Sequence, residues 1–287
     1  PRLVQAVVRT LQEITADGYV FRVDLRLRPD PGATPVVIST EAALNYYESL
    51  GQTWERAAWI KARACAGDFA AAETFLRFMQ PFIWRRSLDF AAVDDIRGLA
   101  RQIQTVGRRA EVRPAGHDLK LGRGGIREIE FYAQIPQLVF GGRNEALRLP
   151  ATLDALRALC EADVVEADVV DTLTADYRRL RAWEHRVQMR QDEASQTLPE
   201  SDADRAAIAA MAGYDDLTAF DGAVEACLRR VHGHFSDQFE DDEPLASEAG
   251  SLILTGVEPT PDTLATLDRL GFAEPEAVWK RLNGWAA

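Results

Sequence analysis

Residues 20–28 read Val20-Phe21-Arg22-Val23-Asp24-Leu25-Arg26-Leu27-Arg28, and what this stretch forms decides the fold. As a strand, alternation with period 2 sets Arg22, Asp24, Arg26 and Arg28 on one face and Val23, Leu25 and Leu27 on the other. Pro29-Asp30-Pro31-Gly32 then turns the chain, and Val36-Val37-Ile38 returns as the second strand of a hairpin. One acid among arginines suits a polyanion held through a metal ion. Arg forks onto phosphate oxygens, and Asp is a hard oxygen ligand for Mg²⁺. A half-exposed strand with a salt-bridged solvent face carries the same pattern.

Outward from this stretch the spacing is helical. Leu3, Val7, Val8, Leu11 and Ile14 predict a helix over 2–16, closed by Gly18. Further helices are expected over 41–49, 52–63, 69–80, 89–111, 125–140, 151–160, 167–194, 203–212 and 215–240. The fold class is therefore mostly α, with a small β part (α+β). A two-stranded hairpin is marginal alone, so it must lean on helices or on strands from elsewhere. The acidic Glu240-Asp241-Asp242-Glu243-Pro244 stretch marks a boundary. The expected division is 1–85, then an all-α bundle over 86–245, then the start of another helical region over 246–287.

The chain has 287 residues and a formal net charge of −12, which argues against a nucleic-acid binder acting through bulk electrostatics. Basic charge is nearly all Arg; the lysines are Lys61, Lys120 and Lys280. Cys65, Cys160 and Cys227 form no CxxC pair and read as thiols of a reducing compartment. No apolar run reaches the ~20 residues of a membrane helix, and no signal peptide is visible, so a cytoplasmic location away from membranes is expected.

A second segment, 118–131, reads Asp-Leu-Lys-Leu-Gly-Arg-Gly-Gly-Ile-Arg-Glu-Ile-Glu-Phe. Gly122, Gly124 and Gly125 before a helix let a backbone approach phosphate oxygens, with Lys120 and Arg123 on the rim. The spacing matches neither GxxxxGK[ST] nor GxGxxG, and a plain turn reads the same way. On the following helix Arg127, Glu130, Gln134 and Gln137 form a narrow polar stripe in an otherwise apolar circumference. Such a stripe faces a cleft, an internal partner or solvent. Pro136 should kink this helix. Residues 54–63 place Lys61 and Arg63 on a short amphipathic stretch, where helix-surface pairing is an equal explanation. His232-x-His234 diverges on a helix and is a poor metal site.

Taken together, Tyr19–Pro29, Trp54–Arg63 and Leu119–Phe131 resemble the glutamine synthetase adenylyltransferase/adenylyl-removing family. Pro81–Phe90, Arg181–Gln188 and Thr197-Leu198-Pro199 extend the resemblance over nearly the whole chain. The wording of 120–131 is similar to that of the family's N-terminal, deadenylylating unit. The resemblance implies a polymerase-β-like nucleotidyltransferase sheet, of which the hairpin would be an incomplete remnant. It implies Mg²⁺ held by three carboxylates, with Asp24 as the third, and phosphate attacking the AMP–tyrosine bond of adenylylated glutamine synthetase to release ADP. Arg26, Arg28, Lys61, Arg63, Lys120 and Arg127 would meet phosphate charge. Gly122, Gly124 and Gly125 would supply N–H donors, and Glu130 would help orient them. Implied partners are glutamine synthetase, the PII signalling protein, ATP/ADP and phosphate, with glutamine as effector.

The family's other two carboxylates lie on an Asp-x-Asp segment upstream of Pro1, so this chain alone is expected to be inactive. Two rival readings stand beside this one. The first is a non-catalytic helical, partner-binding module whose glycine loop is structural. The second is a related uridylyltransferase/uridylyl-removing enzyme.

Overall fold

The computed structural model describes residues 1–86, 98, 112–191, 195–240, 259, 261–269 and 271–286. It divides into two units, residues 1–86 and 87–287. No described helix is long and apolar enough to cross a membrane.

In the first unit, α1 (Arg2–Gln12) is followed by an irregular stretch and then α2 (Thr40–Ser49), α3 (Thr53–Ile60) and α4 (Phe69–Ile83). Local chemistry sets the starts. The Ser39 hydroxyl accepts from the Ala42 amide, the Asp68 carboxylate accepts from the Ala71 amide, and Gln52 and Glu55 form a reciprocal capping box. The small core is aromatic, with Tyr47 against Trp59 and Phe82 at centroid distances of 5.3 and 5.1 Å. Arg56 is fully buried. Its Nε donates to the carbonyls of Phe82 (3.1 Å) and Ile83 (3.3 Å), so a cation closes the C-terminal end of α4.

The expected sheet remnant and its hairpin are not present. Among the described residues there is no β-strand. The extended pairings are single bridges, Thr15 with Gly18 and Asp118 with Thr197. The reason lies in the donors that a ladder would need. The Arg26 amide is spent on the Asp24 carboxylate (2.8 Å) and the Arg28 amide on the Arg26 carbonyl (2.9 Å). Side chain-to-backbone bonds of this kind compete with sheet pairing. Nor does the apolar face find a core, since Leu27 stays 74% exposed and Val23 and Leu25 are only half-buried.

The second unit is a helical bundle of α5 (Ile126–Phe140), a 3₁₀ turn (Glu145–Leu147), α6 (Thr152–Glu161), α7 (Ala167–Gln191), α8 (Asp202–Met211) and α9 (Leu217–Glu240). A separate pair follows, α10 (Pro261–Arg269) against α11 (Pro275–Ala286). α5 packs on α6, α7 and α9, and its apolar circumference disappears into the core formed with Leu156, Leu180, Leu228 and Phe235. α5 runs through Pro136 as one helix. Proline removes the N–H that would reach the Tyr132 carbonyl, and Gln238 Nε2 lies 3.5 Å from that oxygen instead. The helix expected over 89–111 falls outside the described residues apart from Gly98. The acidic boundary at 241–244 and the stretch 246–258 also fall outside them.

Candidate functional site

The residues singled out in the sequence fall on both units. Asp24, Arg26, Arg28, Lys61 and Arg63 lie in the first, and Lys120 through Glu130 in the second.

In the first unit Asp24 is an exposed carboxylate wrapped by its neighbour. Arg26 donates Nε (2.9 Å) and Nη2 (2.6 Å) to Oδ2, besides its amide to Oδ1. These side-chain and backbone hydrogen bonds draw the Asp24 carboxyl down to about 2. The Arg28 guanidinium turns back onto the carbonyls of Leu25 and Pro31 and so holds the turn rather than reaching outward. Lys61 closes α3 as its C-cap, and Lys61 and Arg63 are exposed.

A magnesium seat needs several hard oxygens converging at about 2.1 Å. Among the described residues no group of three or more His, Cys, Asp or Glu could hold a metal ion. Asp24 has both oxygens committed to Arg26. The described residues do not fit Mg²⁺.

The glycine loop is built inward. The Asp118 side chain accepts the amides of Lys120 (2.9 Å) and Leu121 (2.7 Å), and its carbonyl accepts that of Gly122 (2.8 Å). The Gly125 amide goes to the Gly122 carbonyl, Ile126 to Leu119, Arg127 to Lys120 and Glu128 to Gly125. These are the donors a helix start leaves over for an anion, and here the chain's own carbonyls take them. The segment is tied to 196–198 by the Leu119 amide on the Gln196 carbonyl (2.9 Å) and the Leu198 amide on the His117 carbonyl (2.8 Å). Gly124 has φ +76°, and a Cβ there would run into the backbone of Leu228 on α9. A Cβ on Gly125 would lie 2.8–2.9 Å from the carbonyls of Gly122, Leu119 and Lys120. Gly124 thus admits a neighbouring helix, and Gly125 lets the loop close on itself.

Beyond the loop, the polar stripe of α5 runs from solvent into the protein. Arg127 is exposed, with its guanidinium 5.4 Å from the Phe131 ring centre. Glu130 is half-buried. Gln137 is buried and donates to the Leu147 (2.6 Å) and Leu149 (2.9 Å) carbonyls. Lys120 is exposed.

Several buried polar groups were missed by sequence reasoning. Glu128, 4% exposed, meets His232 Nδ1 at 3.2 Å, and His232 Nε2 meets the Ser236 hydroxyl at 3.2 Å. The i,i+4 spacing of His232 and Ser236 was the available signal. His117 is buried beside Gly122. Desolvation pushes its imidazole below the ordinary histidine range, against opposing pulls from the Arg123 backbone and from Asp118 and Glu128. Asp176 and Arg205 centre two more networks between helices.

Set against known proteins, residues 1–78 match the glutamate-ammonia ligase adenylyltransferase family model, and residues 97–239 match the GlnD PII-uridylyltransferase model. A bifunctional glutamine synthetase adenylyltransferase/adenylyl-removing enzyme from Caulobacter vibrioides is 52% identical over 284 residues, covering 99% of this chain. The enzymes of the same description from Agrobacterium fabrum and Rhizobium meliloti are 51% and 48% identical over the same length. The chain matches the bifunctional adenylyltransferase/adenylyl-removing family. It spans 29% of the length of each of these relatives. The uridylyltransferase likeness covers the glycine loop and α5 to α9, so both enzyme classes raised by the sequence find a counterpart.

Proposed function

We propose that this chain is a helical, non-catalytic segment of a bifunctional adenylyltransferase/adenylyl-removing enzyme. In that role it frames the reacting parts and offers surfaces to partners. One observation carries the reading. In the loop that best resembled a phosphate cradle, the amides of Gly122, Gly125, Ile126, Arg127 and Glu128 are bonded to the chain's own carbonyls, those of Lys120 and Leu121 to the Asp118 side chain, and Gly124 is seated on the backbone of α9. Glutamine synthetase, the PII signalling protein, ATP/ADP, phosphate and glutamine belong, in this reading, to the longer enzyme.

A second reading is favoured by the 48–52% identity over 284 residues, 99% of this chain, to enzymes described as adenylyltransferase/adenylyl-removing. In it, Asp24 and the cations Arg26, Arg28, Lys61, Arg63, Lys120 and Arg127 serve phosphoryl chemistry in the longer protein. One assay separates the two. Purified chain is mixed with adenylylated glutamine synthetase, phosphate and Mg²⁺, and ADP is measured; the full-length protein is assayed in parallel with and without Asp24→Asn. The framing role predicts no ADP from the chain and near-parental activity in the full-length variant. ADP formed in proportion to added chain contradicts the framing role, and loss of most activity in the full-length variant favours the second reading.

A further inference from the structure

Asp176, on α7, is 1% exposed, yet two arginines serve it. Arg230 of α9 covers both oxygens by itself, with Nε on Oδ2 at 3.0 Å and Nη2 on Oδ1 at 2.7 Å. Arg179 of α7 adds Nη1 to Oδ1 at 3.2 Å. The Cys227 thiol also leans on this carboxylate; burial, then Asp176, pushes the thiol far up and keeps it protonated. One guanidinium would neutralise the acid, so the second, though the carboxylate has a lone pair to spare for it, is a surplus cation held beside the first. Two cations sharing one anion repel each other.

Both arginines keep their outer edges in water, with side chains 56% and 41% exposed. Neither has another hydrogen-bonding partner among the described residues. Of the positions one turn away along each helix, Ala175 and Ala182 on α7 and Ala226 and Gly233 on α9 are small, while Trp183 and His234 are the bulky ones. A Cβ placed on Gly233 would meet nothing within 4 Å. Two guanidinium forks, anchored at one edge and open at the other, are preorganised for an oxyanion and have little rotamer freedom left to lose on binding.

We propose that Arg179 and Arg230, anchored by Asp176, form a phosphate-binding site on the α7–α9 face of the helical unit. Phosphate suits it better than carboxylate. Two guanidinium groups keep more N–H donors open than the two oxygens of a carboxylate can accept, whereas a phosphate presents at least three oxygens. The phosphate comes free in solution or attached to a protein partner. The site rests on the framing role above and gives one surface of the frame a ligand.

The test follows the Nε–Hε resonances of ¹⁵N-labelled chain while inorganic phosphate, an N-acetyl phosphoserine amide and N-acetyl glutamate amide are added at constant ionic strength. Saturable shifts at Arg179 and Arg230 with either phosphate ligand are expected, weakened at least tenfold in Arg179→Gln. That variant leaves the Arg230–Asp176 pair intact, so the fold is kept. Tighter binding of the phosphoserine amide than of inorganic phosphate identifies a protein-borne source, and the reverse order a free one. Equal binding by Arg179→Gln, no saturable shift, or tighter binding of the glutamate amide overturns the proposal. ADP production by the chain would contradict the framing role without touching these resonances.

Discussion

His117 sits 3% exposed between the Gly122 turn and the start of α5, and its environment disfavours the charged ring. The sign of the consequence follows from proton counting. The folded-state pKa is depressed below the ordinary histidine value of about 6.5, so between the two the unfolded chain binds more protons. The stability that His117 contributes is complete above about pH 6.5 and is lost as the pH falls through that window. Urea midpoints at pH 7.5 and 5.5 should therefore differ less in His117→Gln than in the parent chain. An unchanged or larger difference in the variant contradicts this assignment. At this scale the sequence was a partial guide. Asp24 was legible as a lone acid among arginines, but the partner that claims it is Arg26, two residues away. The Glu128–His232 contact joins positions 104 apart, which no local spacing reports.

Among the elements, the seam of α5 with α9 depends on one missing side chain. Gly124 combines a positive φ with backbone contact to Leu228, so Gly124→Ala should cost on the order of 3 kcal/mol or more, as close-approach and special-φ sites do. Gly233, inside α9 with open space around it, provides the contrast. Gly233→Ala should stabilise by roughly 0.5–1 kcal/mol through helix propensity. Urea denaturation of both variants checks the pair; equal effects would mean that the loop is not seated on α9. Helices were readable because period 3.6 is written by burial against neighbours, and α2 through α9 lie within a few residues of their expected bounds. The hairpin was misread because period 2 gives a strand only where a neighbour takes its amides. The glycine run was read as a place for phosphate oxygens, whereas at Gly124 the backbone of Leu228 comes close, because the chemistry of a glycine does not say whether a ligand or another helix arrives.

For the whole molecule, the acidic surplus was legible from composition, whereas the function of the loop was not. The bundle unit is bound by partly buried ionic networks as well as apolar packing. Arg205 joins Asp202 and Asp221, Arg230 joins Asp176, and Arg190 joins Asp204, linking α7, α8 and α9. Breaking such networks from one side is costly, which favours a rigid body suited to holding other parts in place. Everything in the framing role turns on whether the loop's amides belong to the fold or to a ligand. Amide hydrogen exchange at Gly122, Gly125, Ile126, Arg127 and Glu128, with and without phosphate, reads this directly. The account predicts protection close to that of the α9 core amides and no change on adding phosphate; rapid exchange that slows when phosphate is added would contradict it.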